Sequence, residues 1–256
     1  MGGITLHRDN DEKCPLCNGR GIIVIDEDRA APCKCMVNRN VRVMFQNSMM
    51  SREMQKCSFT GFSSRYYSKN HKDPMSGKTY YENAAVAFSA AQKFVRDVRE
   101  GRCRDGMVLT GPVGSGKTFL ACAAANSLLQ EGEEVLFVVV PDLLDRIRAT
   151  YDRPHDYTEH ELMEAARRVG VLILDDLGAH NYTEWTRNKL YSIINYRLNN
   201  RLPTVITTNL NLDELEEYLG ERTTSRIIEM CKVYRLLVET DIRIVQRNEG
   251  NRENSY

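Results

Sequence analysis

Residues 111 to 118 read Gly-Pro-Val-Gly-Ser-Gly-Lys-Thr, a G-x-x-x-x-G-K-[ST] loop whose residue types suit the holding of a polyphosphate. Several backbone N–H groups must turn inward on the β- and γ-phosphates, and glycine at Gly111, Gly114 and Gly116 supplies the open backbone for that curl. Lys117 is expected to reach the terminal phosphates and Thr118 to ligate magnesium, with Pro112, Val113, Ser115 and Phe119 completing the binding segment. A second element, Val171-Leu-Ile-Leu-Asp-Asp176, is an apolar run that ends in two acids. Asp175 is expected in the Mg2+ shell, directly or through water, and Asp176 is placed to orient or deprotonate an attacking water. A third run, Leu202 to Asn209, ends in Thr208 and Asn209. In a parallel sheet these groups emerge at the same carboxyl edge as the acids, where Asn209 can hold the water or sense the γ-phosphate.

The cysteines carry a different chemistry. Cys14-Pro-Leu-Cys17 and Cys33-Lys-Cys35 have the spacing of a four-thiolate Zn2+ site, and the intervening Ile22–Ile25 and Ala30–Pro32 runs suit a hairpin between the two knuckles. So small a segment cannot fold on its own apolar area, so metal would supply much of its folding energy. Disulfides do not suit a chain without an export signal, and the spacing is not typical of an iron–sulfur cluster. Cys57, Cys103, Cys122 and Cys231 have no ligand spacing.

Tyr80–Glu100 is expected as a helix leading into a strand at Met107–Thr110. The phosphate loop then opens a helix over Phe119–Leu129, followed by a strand at Glu133–Val140, helices at Pro141–Thr150 and Glu159–Val169, and the acid-bearing strand. Helix Glu184–Asn199, strand Leu202–Asn209, helices Asp213–Leu219 and Arg222–Cys231, and a last strand Val233–Glu239 complete the alternation. This pattern predicts an α/β fold with a doubly wound parallel sheet. Four regions follow: a zinc-binding domain over 1–58, a Ser/Asn/Gly/Pro-bearing linker over 59–79, the nucleotide domain over 80–248 and a polar tail over 249–256. Within the first, Asn38–Gln55 has Met and Phe at helical spacing, which fits either a partner-binding face or packing on the cysteine segment.

The chain has 35 Lys+Arg against 35 Asp+Glu, so contact with nucleic acid requires a local patch, and neutrality argues against a histone-like or coating protein. Its start, Met1 to Arg8, has no apolar signal core and no apolar run approaches a membrane span, so the cytoplasm is the expected compartment.

The segments GPVGSGKT, VLILDDLG, TTN, GERTTSRI and ETDIR, in this order over residues 80 to 245, resemble the AAA+ ATPases of the DnaC/DnaI helicase-loader group, close kin of the IstB transposition ATPase. The resemblance implies ATP as the nucleotide, with Lys117 and Thr118 in Walker A, Asp175 and Asp176 in Walker B, and Asn209 as sensor 1. Arg226 is similar to the arginine finger that reaches a neighbouring subunit's γ-phosphate, with Arg222 the less favoured candidate, and Arg243 resembles the sensor 2 arginine. A guanidinium acting in trans would couple hydrolysis to self-association. Asp176 stands where generic AAA+ proteins have Glu, and no helical lid domain is expected after Arg243; both imply slow hydrolysis by the isolated monomer.

An N-terminal four-cysteine segment resembles loaders that grip the replicative hexameric helicase. Pro141–Val169 corresponds to the insertion that lines a single-stranded DNA path in this group, although its arginines are offset by acids. Two other functions fit parts of the pattern: a transposition helper acting on duplex DNA, and a nucleotide-gated adaptor with negligible turnover. A small-molecule kinase has no acceptor-site signature here.

Overall fold

The computed structural model describes residues 22–24, 29–32, 50–151, 157–179 and 182–253. Five strands, β3 (Gly106–Thr110), β4 (Val135–Val139), β5 (Val171–Asp175), β6 (Thr204–Thr208) and β7 (Cys231–Arg235), form one parallel sheet in the order β4-β5-β6-β3-β7. Helices cover both faces, which is why β4 and β5 read as unbroken Val/Leu/Ile/Phe runs with no alternation. On one face α3 (Val140–Ala149), α4 (Glu159–Arg168), α5 (Glu184–Asn199), α6 (Leu212–Leu219) and α7 (Glu221–Met230) enclose a core that includes Leu143, Leu162, Leu190 and Ile227. On the other, α1 (Tyr80–Arg99) and α2 (Lys117–Gln130) pack Ala84, Ala91, Phe94, Leu120 and Ala124 against Leu109 and Ile173.

Local signals fix the helix ends. The Thr79 hydroxyl accepts from the Glu82 N–H at 3.1 Å and the Glu82 carboxylate accepts from the Thr79 N–H at 2.7 Å, a reciprocal cap that starts α1. The same pairing of Thr158 with Glu161 and of Asn211 with Glu214 starts α4 and α6.

The small hairpin expected near the cysteines is present as β1 (Ile22–Val24) antiparallel to β2 (Ala30–Pro32), with Ile22 opposite Pro32. Cys14, Cys17, Cys33 and Cys35 lie outside the described residues, as does most of Asn38–Gln55.

Elsewhere the structure departs from the sequence pattern in three places. The last strand spans Cys231–Arg235, earlier than the Val233–Glu239 expected, because β3 offers a pairing edge only from Gly106 to Thr110 before the chain turns into the phosphate loop. The 59–79 segment is folded onto the nucleotide domain: it forms 3-10 turns at Phe59–Gly61 and Ser64–Tyr66, and Phe59, Phe62 and Tyr66 pack on the α1/α2 core. Its buried Asp73 accepts from Ser76 and Asn83 and pairs with Arg235 at the end of β7. Finally, α8 (Ile242–Glu253) continues through residues whose composition reads as a polar tail, and its Glu249 pairs with Arg65 at 2.7 Å. Among the described residues no helix is long and apolar enough to cross a membrane.

Candidate nucleotide site

The phosphate loop leaves the end of β3 and runs straight into α2, so the amino end of that helix faces the carboxyl edge of the sheet. Two of its glycines are required by space as well as by conformation. At Gly111 (φ 148°) an added Cβ would lie 1.9 Å from the Leu236 carbonyl oxygen, and at Gly114 (φ 72°) it would lie 2.0 Å from the Asp241 carboxylate.

The expected site residues converge around this loop. Lys117 Nζ donates to the carbonyls of Gly111 and Pro112, both at 2.8 Å, which folds the ammonium across the loop mouth. Burial pulls its pKa down to about 8, against the opposing pull of Asp176 and Asp175. Thr118 Oγ1 donates to Asp175 Oδ1 at 2.9 Å. Burial pushes the Asp175 carboxyl up, while hydrogen bonds from Thr207 and Thr118 hold it down. Asp176 follows the strand in a left-handed conformation (φ 59°), which Asp tolerates better than most residues. Its Oδ1 accepts from Asn209 Nδ2 at 3.1 Å. Arg243, at the start of α8, lines the same cleft and is held by Asp241 through contacts of 3.0 and 2.7 Å. The cleft measures about 640 Å3, and its remaining wall includes Cys57, Phe62 and Tyr66 from the folded 57–67 segment.

Arg226 is placed elsewhere. It sits on α7, donates from Nε to Asn195 Oδ1 at 2.7 Å, stacks 4.9 Å over the Tyr191 ring, and is not among the residues around the cleft. Arg222 is exposed on the same helix.

Sequence reasoning passed over Thr207. This buried residue donates to Asp175 Oδ1 at 2.6 Å and accepts from the Asp176 N–H at 2.9 Å, so one hydroxyl fixes both acids. The signal was available: side chains two apart on a strand share a face, so Thr207 accompanies Asn209, whereas Thr208 turns away and accepts from the Leu210 N–H.

These residues fit a magnesium nucleotide. Thr118 and Asp175 present hard oxygens side by side, the donor type that a divalent cation of this class takes. The buried Ser115 hydroxyl has no hydrogen-bond partner among the described residues, and the loop it belongs to is curled around that point. A second hollow, of about 440 Å3 between α4 and α5, lacks such an arrangement, since its Lys189 is paired with Glu159 and its Arg167 with Glu164.

Two measurements follow from this geometry. A triphosphate holds Lys117 in its ammonium form, whereas without ligand the group titrates near pH 8, so binding above that pH must take up a proton. Nucleotide Kd is therefore expected to be flat below pH 8 and to rise about tenfold per unit above it, as fluorescent-nucleotide titration at three pH values would reveal. An unchanged Kd at pH 9 would contradict the buried-ammonium account. Separately, Thr207→Val keeps the β-branched shape but frees Asp175, and is expected to raise the Mg2+ concentration needed for half-maximal nucleotide binding by about tenfold. The same Mg2+ dependence as wild type would show that Thr118 alone orients the carboxylate.

The family model described as IstB-like ATP binding protein matches residues 79–247. Similar curated proteins include the Escherichia coli K12 replicative helicase loader DnaC, 27% identical over 170 residues, which cover 64% of this chain and 68% of that protein. The phage-like element PBSX protein XkdC of Bacillus subtilis is 27% identical over 238 residues, 88% of this chain and 82% of its own length. Among solved structures, the crystal structure of DnaI superposes with a TM-score of 0.58 at 28% identity, covering 73% of this chain and 94% of that one.

Proposed function

The chain belongs to the IstB-like ATP-binding family, and on that premise we propose that it is an ATP-dependent loader of the replicative DNA helicase. The observation that carries the nucleotide half of this reading is the pairing of Thr118 with Asp175 and of Asn209 with Asp176 at one sheet edge, facing Lys117. The loading half rests on similarity to DnaC, which is named a replicative helicase loader, over 64% of this chain. Duplex-DNA transposition work has no comparable support among the named relatives.

In this reading Lys117 exchanges its two carbonyl partners for the β- and γ-phosphates of ATP. Magnesium, when bound, neutralises charge on the phosphates and is held by Thr118 and Asp175. Asp176 orients the attacking water and takes its proton, with Asn209 fixing the carboxylate that does so. Arg243 approaches the phosphates from α8, and Arg226 of a neighbouring copy completes the site in trans. The single carbon between backbone and carboxylate at Asp176 keeps turnover slow until copies assemble.

The cysteine set Cys14, Cys17, Cys33 and Cys35 is assigned by its spacing to Zn2+, and residues 1–58 to the helicase grip. Single-stranded DNA is assigned to the insertion side, where exposed Tyr151 stands edge-on to Trp185 at 6.3 Å and Arg148 and Lys189 lie over the indole. Rings flanked by cations suit stacking of unpaired bases.

Size exclusion with light scattering of the protein mixed with its host's hexameric helicase, in ATP, in ADP and after zinc chelation, tests the whole reading. A complex that depends on nucleotide and disappears on chelation is the expected result. No complex in any state would remove the loader assignment and leave a nucleotide-gated protein of another kind.

A further inference from the structure

Tyr67 brings the segment ahead of α1 into direct contact with the phosphate loop. The residue is 3% exposed, and its Oη donates to the Ser115 carbonyl at 2.8 Å. A peptide group is planar and trans, so its C=O and the N–H of the following residue point in opposite directions. A Ser115 carbonyl held against Tyr67, which itself lines the cleft, therefore fixes the direction of the Gly116 N–H opposite to it. That N–H is one of the donors a phosphate at this helix terminus needs.

The peptide has reason to require such a clamp. Gly116 lies at φ 89° and ψ 8°, and a residue without a Cβ crosses readily between backbone regions. A Cβ on Gly116 would also lie 2.8 Å from the Tyr67 oxygen, so the hydroxyl occupies the space that the glycine leaves free.

Tyr67 is in turn fixed by how its own segment docks. Its ring stacks on Phe62 with centroids 5.7 Å apart, Phe62 stacks on Phe88 of α1 at 5.1 Å, and Phe62 leans on Phe119 of α2 at 6.4 Å. Farther along α2, Asn126 Nδ2 donates to the carbonyls of Met54 and Cys57 at 2.9 and 2.8 Å. The segment from Met54 to Tyr67 is thus seated on the helix that the phosphate loop opens.

We propose that Tyr67 is a positioning residue that holds the Ser115–Gly116 peptide in its phosphate-binding orientation, so that docking of the 54–67 segment and nucleotide binding are coupled. The inference rests on the nucleotide-site reading above and deepens it by naming a regulatory input. Coupling of this kind is reciprocal: whatever pulls the segment off α2 weakens nucleotide binding by the factor with which nucleotide resists the pull. Any partner that engages residues preceding Met54 is in a position to exert that pull.

Tyr67→Phe tests this in the full chain, since it keeps the ring stack and removes only the hydroxyl. The expected result is an ATP and ADP Kd raised about 5- to 10-fold, with turnover at saturating ATP within about twofold of wild type. Nucleotide should protect Arg65 from trypsin in the wild type, and that protection should shrink in the variant. Asn126→Ala leaves the hydroxyl in place but loosens the seat; it should raise Kd in the same direction and combine with Tyr67→Phe less than additively. An unchanged Kd in Tyr67→Phe overturns the proposal, as does an equal loss of turnover and affinity with a lowered melting temperature, which marks a structural role. Lys117→Ala is the reference: if the wild type binds nucleotide no better than this variant, the site reading itself fails and the coupling with it.

Discussion

With Arg226 in the trans role proposed above, Arg226→Ala is expected to lower ATP turnover by about a thousandfold while leaving nucleotide Kd within about twofold. The expectation comes from where the side chain is held. In its own subunit Arg226 lies away from the cleft, anchored by Asn195 at 2.7 Å and by the Tyr191 ring, and among the described residues no carboxylate is within ion-pairing reach of it. A half-buried guanidinium kept in one orientation without a counter-charge is suited to meet an anion brought by another molecule. Nucleotide binding should survive the substitution because Lys117, Thr118 and the loop belong to the same chain as the cleft, whereas hydrolysis should not. Steady-state ATPase as a function of protein concentration reads the effect. Mixing Arg226→Ala with Lys117→Ala gives a sharper version: the first supplies an intact cleft and the second an intact finger, so mixed assemblies should regain part of the activity that neither has alone. No recovery on mixing, together with a weakened Kd in Arg226→Ala, would return the residue to a packing role within its own subunit. Arg222, exposed one turn earlier, should give the smaller loss.

The strands and the acids at their ends were legible in the sequence for the same physical reason: a parallel sheet buried on both faces demands unbroken apolar runs, so polar residues at the ends of those runs stand out. Asp175, Asp176 and Asn209 were found in that way, and the phosphate loop by the glycines its curl requires. What escaped was set by contacts between distant segments. Tyr67 reaches Ser115 from 48 positions away in the chain, and nothing around it in sequence distinguishes it from Tyr66, whose hydroxyl lies near Glu249 instead. The Ser/Asn/Gly/Pro content of residues 59–79 reads as a linker, but it carries no information on docking, which depends on Phe59 and Phe62 finding Phe88 and Phe119 and on Tyr67 stacking on Phe62. Thr207 obeys the alternation rule, since it shares its strand face with Asn209, but a run judged by its polar end alone does not single it out. Arg197 was the least legible of all: a cation in the last turn of an amphipathic helix normally lies in solvent, and only tertiary packing makes it otherwise.

Arg197→Met is expected to destabilise the nucleotide domain by about 3–5 kcal/mol, and the reason is visible in what the guanidinium holds. The residue is 0% exposed. Its Nη1 donates to the carbonyls of Ala166, Arg167 and Val169 at 3.2, 3.1 and 2.8 Å, at the C-terminal end of α4. Its Nη2 donates to the Pro203 and Gly170 carbonyls at 2.6 and 3.4 Å, just ahead of β6 and β5, and Nε donates to Thr204 Oγ1 at 2.9 Å. Every acceptor is neutral. The charge is balanced by carbonyl dipoles, including those at the negative end of a helix, and among the described residues by no carboxylate. Burial pulls the guanidinium pKa down to about 9, which still leaves it charged at neutral pH. Methionine fills similar volume but leaves these carbonyls without their buried donor. At about 2–4 °C per kcal/mol for a domain of this size, the melting temperature should fall by about 10 °C. Arg197→Lys keeps the charge but offers three donors on a compact head, so it should recover only part of the loss. Urea unfolding of the three proteins measures this directly, and a cost below about 1 kcal/mol for methionine would show that water takes over the carbonyls. The functional consequence reaches the opposite edge of the sheet. Arg197 ties the starts of β5 and β6, the two strands whose far ends align Asp175 with Thr207 and Asp176 with Asn209, so at a fixed nucleotide concentration the variant's melting temperature should rise less than that of wild type if loosening the strands weakens the site.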